Sequence, residues 1–136
     1  MEENQKIPMR SQVKKEDTWA IEDMYATVED WEKDFVAAKK VAEEAAEYAG
    51  RLGESAQALY DWSVLTEKLD CMLNEIYGYA SRVKDQDTAD AAGQTLSARA
   101  MGLYVECSGL ISFADPEILS IPEEKLEAFY AEKPEL

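Results

Sequence analysis

The chain has 136 residues, of which 46% are apolar and 10% aromatic, enough for one folded domain with a modest core and too apolar for a disordered segment. Asp and Glu number 29 against 14 Lys and Arg, and the resulting net charge of −15 repels phosphate backbones and anionic headgroups, which argues against nucleic-acid and membrane partners. The sequence has no apolar run long enough to span a bilayer, and Met1-Glu2-Glu3-Asn4-Gln5-Lys6 lacks the basic-then-apolar order of a signal peptide, so a cytoplasmic location is expected.

In chain order, residues 1–17 are polar and without periodicity, and they are expected to form an extended or disordered leader with no helix. Trp19, Ile21 and Tyr25 then offer apolar anchors to the body that follows. Thr27 ahead of Val28-Glu29-Asp30 has the character of an N-cap with an acidic first turn, and a helix is predicted from 28 to about 49 along Trp31, Phe35, Ala38, Val41 and Ala45. Gly50 and Gly53 supply its stop. Ser55 caps a long arm over 56–84, whose seam of Leu59, Trp62, Thr66, Leu69, Leu73, Ile76, Ala80 and Val83 advances by alternating threes and fours. A second apolar line, Tyr60, Leu65, Met72 and Tyr79, widens its buried face enough to require a third helix, for which 28–49 is the nearest candidate.

After the polar break Lys84-Asp85-Gln86-Asp87-Thr88, with Thr88 as the expected cap, a second arm runs over 89–113 on Leu96, Ala100, Leu103, Cys107 and Leu110. Gly93, Gly102 and Gly109 weaken this arm but permit close helix approach. Asp115-Pro116 and Ile121-Pro122-Glu123 each begin a short helix, with Asp115 as cap and the proline at the first helical position. The expected fold is therefore all-α: a long antiparallel helical hairpin packed with a preceding helix, plus one or two short C-terminal helices. Cys71 and Cys107 fall on the two arms about 6 Å out of register, so no disulfide is expected and both thiols are assigned to packing.

Reactive constellations are missing from the sequence. It contains no histidine, and two cysteines alone complete no zinc site, so no catalytic and no metal-binding residue is assigned and no cofactor is expected in this chain. The glycines match no phosphate loop. The clusters Glu43-Glu44-Glu47 and Glu123-Glu124-Glu127 lie on helices without a capturing loop and are read as solvated faces. Tyr77, Tyr79 and Tyr104 are the candidates for a peptide-lining role, weighed against plain packing of a broad helical face.

The order of several short motifs resembles the N-terminal region of oligoendopeptidase F, a zinc metallopeptidase of the thimet-oligopeptidase-like group. The motifs are Trp19-x-Ile21-x-Asp23-x-Tyr25, Gly50-x-Leu52-Gly53-Glu54-Ser55, Tyr77-x-Tyr79-Ala80-Ser81 with Asp85-x-Asp87-Thr88, and Phe113-x-Asp115-Pro116-Glu117-Ile118-Leu119 with Ile121-Pro122-Glu123. The sequence departs from the family at Ala20 and around Asp90 to Gly93. The resemblance implies that 18–136 is the non-catalytic helical front of a larger peptidase, truncated at its C-terminus, whose zinc and His-Glu-x-x-His helix lie elsewhere in the parent. It implies the C-terminal catalytic domain of the same parent and an oligopeptide substrate as partners, with this part forming a wall of the substrate channel and Tyr77, Tyr79 and Tyr104 as channel candidates. The competing reading is a stand-alone helical interaction or dimerisation module. Because a piece cut from a larger body exposes the surface its missing partner covered, self-association is expected, through the face of Tyr60, Leu65, Met72 and Tyr79 or that of Met101, Tyr104 and Ile111.

Overall fold

Thr27 Oγ1 accepts the Asp30 backbone N–H at 3.2 Å and Ser55 Oγ accepts that of Ala58 at 3.1 Å, and a helix starts on the residue after each cap, as the sequence predicts. The computed structural model describes residues 7–136. Its helices are α1 (Val28–Ala46), α2 (Ala56–Gln86), α3 (Ala91–Ile111), α4 (Ala114–Leu119) and α5 (Glu123–Glu132), with no strand among the described residues. The fold is all-α, a long hairpin of α2 and α3 with α1 laid against both arms.

Several boundaries differ from the sequence reading, each for a local reason. The cap of α3 is Asp90 instead of Thr88: its two carboxylate oxygens accept the N–H groups of Ala92 at 3.2 Å and Gly93 at 3.1 Å. A carboxylate satisfies two orphan donors and adds negative charge at the positive helix end, which a hydroxyl does not. Thr88 stays in the turn, where its carbonyl accepts from Gln94 Nε2 at 2.7 Å. Helix α4 begins one residue before Asp115, without a side-chain cap, and Pro122 is the N-cap of α5, not its first residue. Helix α1 ends at Ala46; Gly50 follows in the left-handed region at φ 79°, and the Glu117 carboxylate accepts both the Gly50 and Leu52 N–H groups at 2.8 Å, tying this turn to α4.

The expectation for residues 1–6 falls outside the described residues. Residues 7–17 contain no α-helix but two one-turn 3-10 segments, Arg10–Gln12 and Lys15–Asp17, and the Arg10 guanidinium donates to Gln86 Oε1 at 2.8 Å. Trp19 does not anchor this stretch, being 56% exposed; Ile21 and Tyr25 do. Tyr25 donates its hydroxyl to Asp34 Oδ2 at 2.8 Å and meets the Tyr79 ring edge-on at 5.2 Å.

The main core is the seam where three helices meet: Trp31, Ala38, Val41 and Ala42 from α1, Leu69, Leu73, Ile76 and Ala80 from α2, and Leu96, Ala100, Leu103 and Cys107 from α3. Leu65 and Met72 pack against it, so α1 covers the second apolar line of α2 as required. The Tyr60 end of that line is covered by Lys133, whose ammonium lies 4.2 Å from the ring centroid. That face is consequently not the exposed one. A smaller cluster of Leu52, Ala56, Leu59, Ala114 and Phe129 joins α4 and α5 to the start of α2. Both cysteines are free; Cys107 is a buried packing group, its thiol pKa pushed up by burial, whereas Cys71 is exposed and lies outside the buried core.

The glycines of α3 split by environment. A Cβ on Gly93 would lie 3.1 Å from Lys84 Cα and 3.2 Å from the Val83 carbonyl oxygen, both backbone atoms that cannot step aside, whereas one on Gly102 meets nothing within 4 Å. Chemical denaturation should therefore show Gly93→Val lowering stability by about 1–3 kcal/mol through overpacking and Gly102→Ala raising it by about 0.5–1 kcal/mol through helix propensity.

Burial first, and then the Asp34 carboxylate, push the Tyr25 phenol well above its ordinary value of 10.0, and burial raises Tyr79. Their neutral forms are favoured by the fold, so the unfolded chain loses these protons first; the stability they lend is present below pH 10 and is lost as pH rises past that ordinary value toward the folded one. The denaturation midpoint should fall above pH 10, and Tyr25→Phe, though less stable at neutral pH for want of the Asp34 hydrogen bond, should show a shallower alkaline fall.

Candidate functional site

With α1 on one side of the hairpin, the other side of the α2–α3 groove is left open. Along α2 the core seam runs through Leu73, Ile76 and Ala80, and Tyr77 stands one step off it, 38% exposed. On α3 the core residues Leu96, Ala100, Leu103 and Cys107 leave Ser97, Met101 and Tyr104 on the flank nearest α2, and Met101 and Tyr104 are each 46% exposed. Tyr77, Tyr104, Met101 and Asn74 enclose a shallow apolar cavity of about 310 Å³. A second hollow of about 530 Å³ adjoins it across Tyr77 and Met101, which line both, and adds Lys84, Thr88, Gln94, Ser97 and Ala98. Together they form one trough along the groove, apolar and aromatic at one end, polar at the other.

Two of the three candidate tyrosines thus come together and the third does not. Tyr79 is two residues from Tyr77, about 200° around the helix, and lies buried against Tyr25 on the α1 side, where it packs the core instead of lining a surface. Asn74 and Lys84 were not singled out by the sequence reading. Their signal was there in the spacing: 74, 77 and 84 advance by three and seven on one helical face, and 94, 97, 101 and 104 by three, four and three on the facing helix.

The electrostatics of the trough follow from where the charges of α3 go. Arg99 and Glu106 are the only charged residues between Ala91 and Ile111, and both turn toward α1. Arg99 forks onto the Glu32 carboxylate, with Nη2 donating to Oε2 at 2.8 Å, and holds that carboxyl below its usual range; its guanidinium also lies over the rings of Trp31 and Phe35 at 5.3 and 4.9 Å. Lys39 Nζ sits 2.7 Å from Glu106 Oε1. The α3 wall of the trough is therefore uncharged, and Lys84 is the one charged side chain among the lining residues, its ammonium a loose 3.7 Å from Asp85 Oδ1. Among the described residues no three His, Cys, Asp or Glu side chains gather as metal ligands, and no helix is long and apolar enough to cross a membrane. Among the described residues that line the trough there is no nucleophile–base pair.

No family model matches the chain. It is 40% identical over 130 residues to oligopeptidase PepF of Bacillus subtilis, covering 96% of this chain and 19% of that protein. It is 33% identical over 127 residues to the group B oligopeptidase PepB of Streptococcus agalactiae, covering 93% and 21% respectively. The crystal structure of oligoendopeptidase-F from Enterococcus faecium superposes with a TM-score of 0.72 over 81% of this chain and 22% of that one; at 24% identity this shows the fold. The chain spans about a fifth of the length of the curated relatives it matches. Relatives named oligopeptidase PepF and oligoendopeptidase F match most of this chain, which corresponds to their N-terminal region.

Proposed function

We propose that this chain is the non-catalytic N-terminal part of a zinc-dependent oligoendopeptidase that hydrolyses short peptides, and that the open side of its hairpin forms a wall of the passage the peptides occupy. The observation that carries this reading is 40% identity to an oligopeptidase along 96% of the chain. The residues here do not fit a zinc site: there is no imidazole in the sequence, and the two thiols are divided between an exposed and a buried position. The metal and the hydrolytic step belong to the C-terminal catalytic domain of the parent. What this part contributes is steric: a rigid three-helix wall that narrows access so that oligopeptides enter and folded proteins do not. Free thiols fit a reducing, cytoplasmic setting. The exposed Met101, Tyr104 and Val105 also give the isolated chain a surface for self-association, which the charge of −15 opposes and added salt favours.

A chimera tests the reading. When the matching fifth of the Bacillus relative is replaced by this chain, the chimera should cleave short peptides, lose activity to a chelator and recover it with zinc. The 136-residue chain by itself should cleave nothing and retain no zinc after dialysis. A folded, zinc-loaded chimera without peptidase activity would contradict the proposal.

A further inference from the structure

The apolar interior is divided at one level of the molecule. The main core takes α2 from Leu65 onward and α3 as far as Ile111, whereas the smaller cluster takes α2 up to Trp62 and resumes at Phe113; no residue belongs to both. Polar and aromatic contacts respect the same division. Trp31 on Ile76, Arg99 on Glu32 and Lys39 on Glu106 hold the three-helix body together. Glu117 on the Gly50 and Leu52 N–H groups and Lys133 over Tyr60 hold the smaller body. Among the described residues, no side-chain hydrogen bond, ion pair or ring contact between different elements passes from one body to the other.

Each element that crosses this level is weakened there. Helix α1 stops at Ala46, and only a turn continues past it. Helix α2 crosses unbroken, but at the crossing Ser63 Oγ donates to the Leu59 carbonyl at 2.9 Å, and Thr66 Oγ1 to those of Trp62 and Ser63 at 3.2 and 3.0 Å. Hydroxyls that bond back to carbonyls of the preceding turn loosen a helix and let it bend. Helix α3 ends at the same level, on Gly109 and Ser112. A Cβ on Gly109 would meet nothing within 4 Å, so this glycine answers no packing need and only weakens the last turn, where Ser112 Oγ donates to its carbonyl at 2.8 Å. Beside Phe113, the buried Trp62 indole N–H has no acceptor among the described residues, so no hydrogen bond of that ring fixes one setting of the junction. We propose that the protein is jointed here: α4, α5 and the start of α2 tilt as one body against the three-helix body, with α2 bending at Ser63–Thr66 and the other arm at Gly109–Phe113. The joint rests on the packing of this chain and is independent of the peptidase reading.

The test measures distances between pairs of spin labels on the 136-residue chain by pulsed electron paramagnetic resonance. Labels go on introduced cysteines in a Cys71→Ser background, in which the buried Cys107 stays unlabelled. Lys40→Cys with Asp70→Cys reports on the three-helix body, Gln57→Cys with Glu124→Cys on the smaller one, and Lys40→Cys with Glu124→Cys spans the joint; all four positions are exposed. The spanning pair should give a distance distribution about twice as wide as either internal pair. Ser63→Ala, Thr66→Ala and Gly109→Ala together, none of them in either apolar cluster, should stiffen both arms and narrow the spanning distribution to the internal width. A spanning distribution as narrow as the internal ones would overturn the proposal. So would a wide one that the triple substitution leaves unchanged, or equal breadth in all three pairs, which would spread the motion through the whole chain.

Discussion

The placement of Trp31 decides the rest of this fold. Its side chain has no exposed surface, and its indole N–H donates at 2.9 Å to the Ile76 carbonyl in the middle of α2. Burying an indole removes a large apolar area from water but strands an N–H unless an acceptor is at hand. A mid-helix carbonyl keeps a lone pair free beyond its own helical bond, so the ring can seat directly on α2. Phe35 packs beside it at 5.2 Å, and the Arg99 guanidinium from α3 closes over both rings while pairing with Glu32. One residue of α1 is thereby registered against both arms of the hairpin.

That registration makes the molecule two-sided. On the α1 side the side chains are paired: buried Tyr25 on Asp34, buried Tyr79 against the Tyr25 ring, half-exposed Glu106 on Lys39. The ion pairs there are partly exposed and each contributes less than about 1 kcal/mol, so apolar packing around Trp31, Leu69, Ile76 and Leu103 holds the layers together. On the other side the same two helices have no third neighbour among the described residues, and Tyr77, Met101 and Tyr104 are partly exposed. In a chain of which 32% is charged, the α3 side of this face carries no charge, so its exposed apolar groups stand together.

Much of the fold could be read from the residues because the helices are long and their caps conventional. The three-four alternation of Leu69, Leu73, Ile76 and Ala80 identified the seam, and Thr27 and Ser55 marked their helix starts to the residue. Misplaced features came from competition between neighbours that a linear pattern does not rank. Thr88 and Asp90 are both good caps, and the carboxylate prevails because it satisfies two N–H groups. Trp19 is as apolar as Tyr25, yet only Tyr25 finds a carboxylate for its hydroxyl and a ring for its edge. Cys71 was read as a packing thiol although it stands two residues off the Leu69–Leu73 seam on either side.

For the trough, composition named the tyrosines but could not sort them. Tyr77 and Tyr79 look equivalent in sequence, and their opposite fates follow from a rotation of about 200° between them together with the side on which α1 docks. Lys84 was not singled out because its place depends on the facing helix: Arg99 and Glu106 turn toward α1, while Lys84 stays on the open side with Asp85 3.7 Å from its ammonium. The most direct measurement of this two-sided fold is a titration of the monomeric, isotopically labelled chain with a soluble paramagnetic probe, followed by nuclear magnetic resonance. Side-chain signals of Tyr77, Met101 and Tyr104 should be lost while those of Tyr25, Trp31 and Tyr79 persist; loss on the α1 side, or none at the three groove residues, would contradict it.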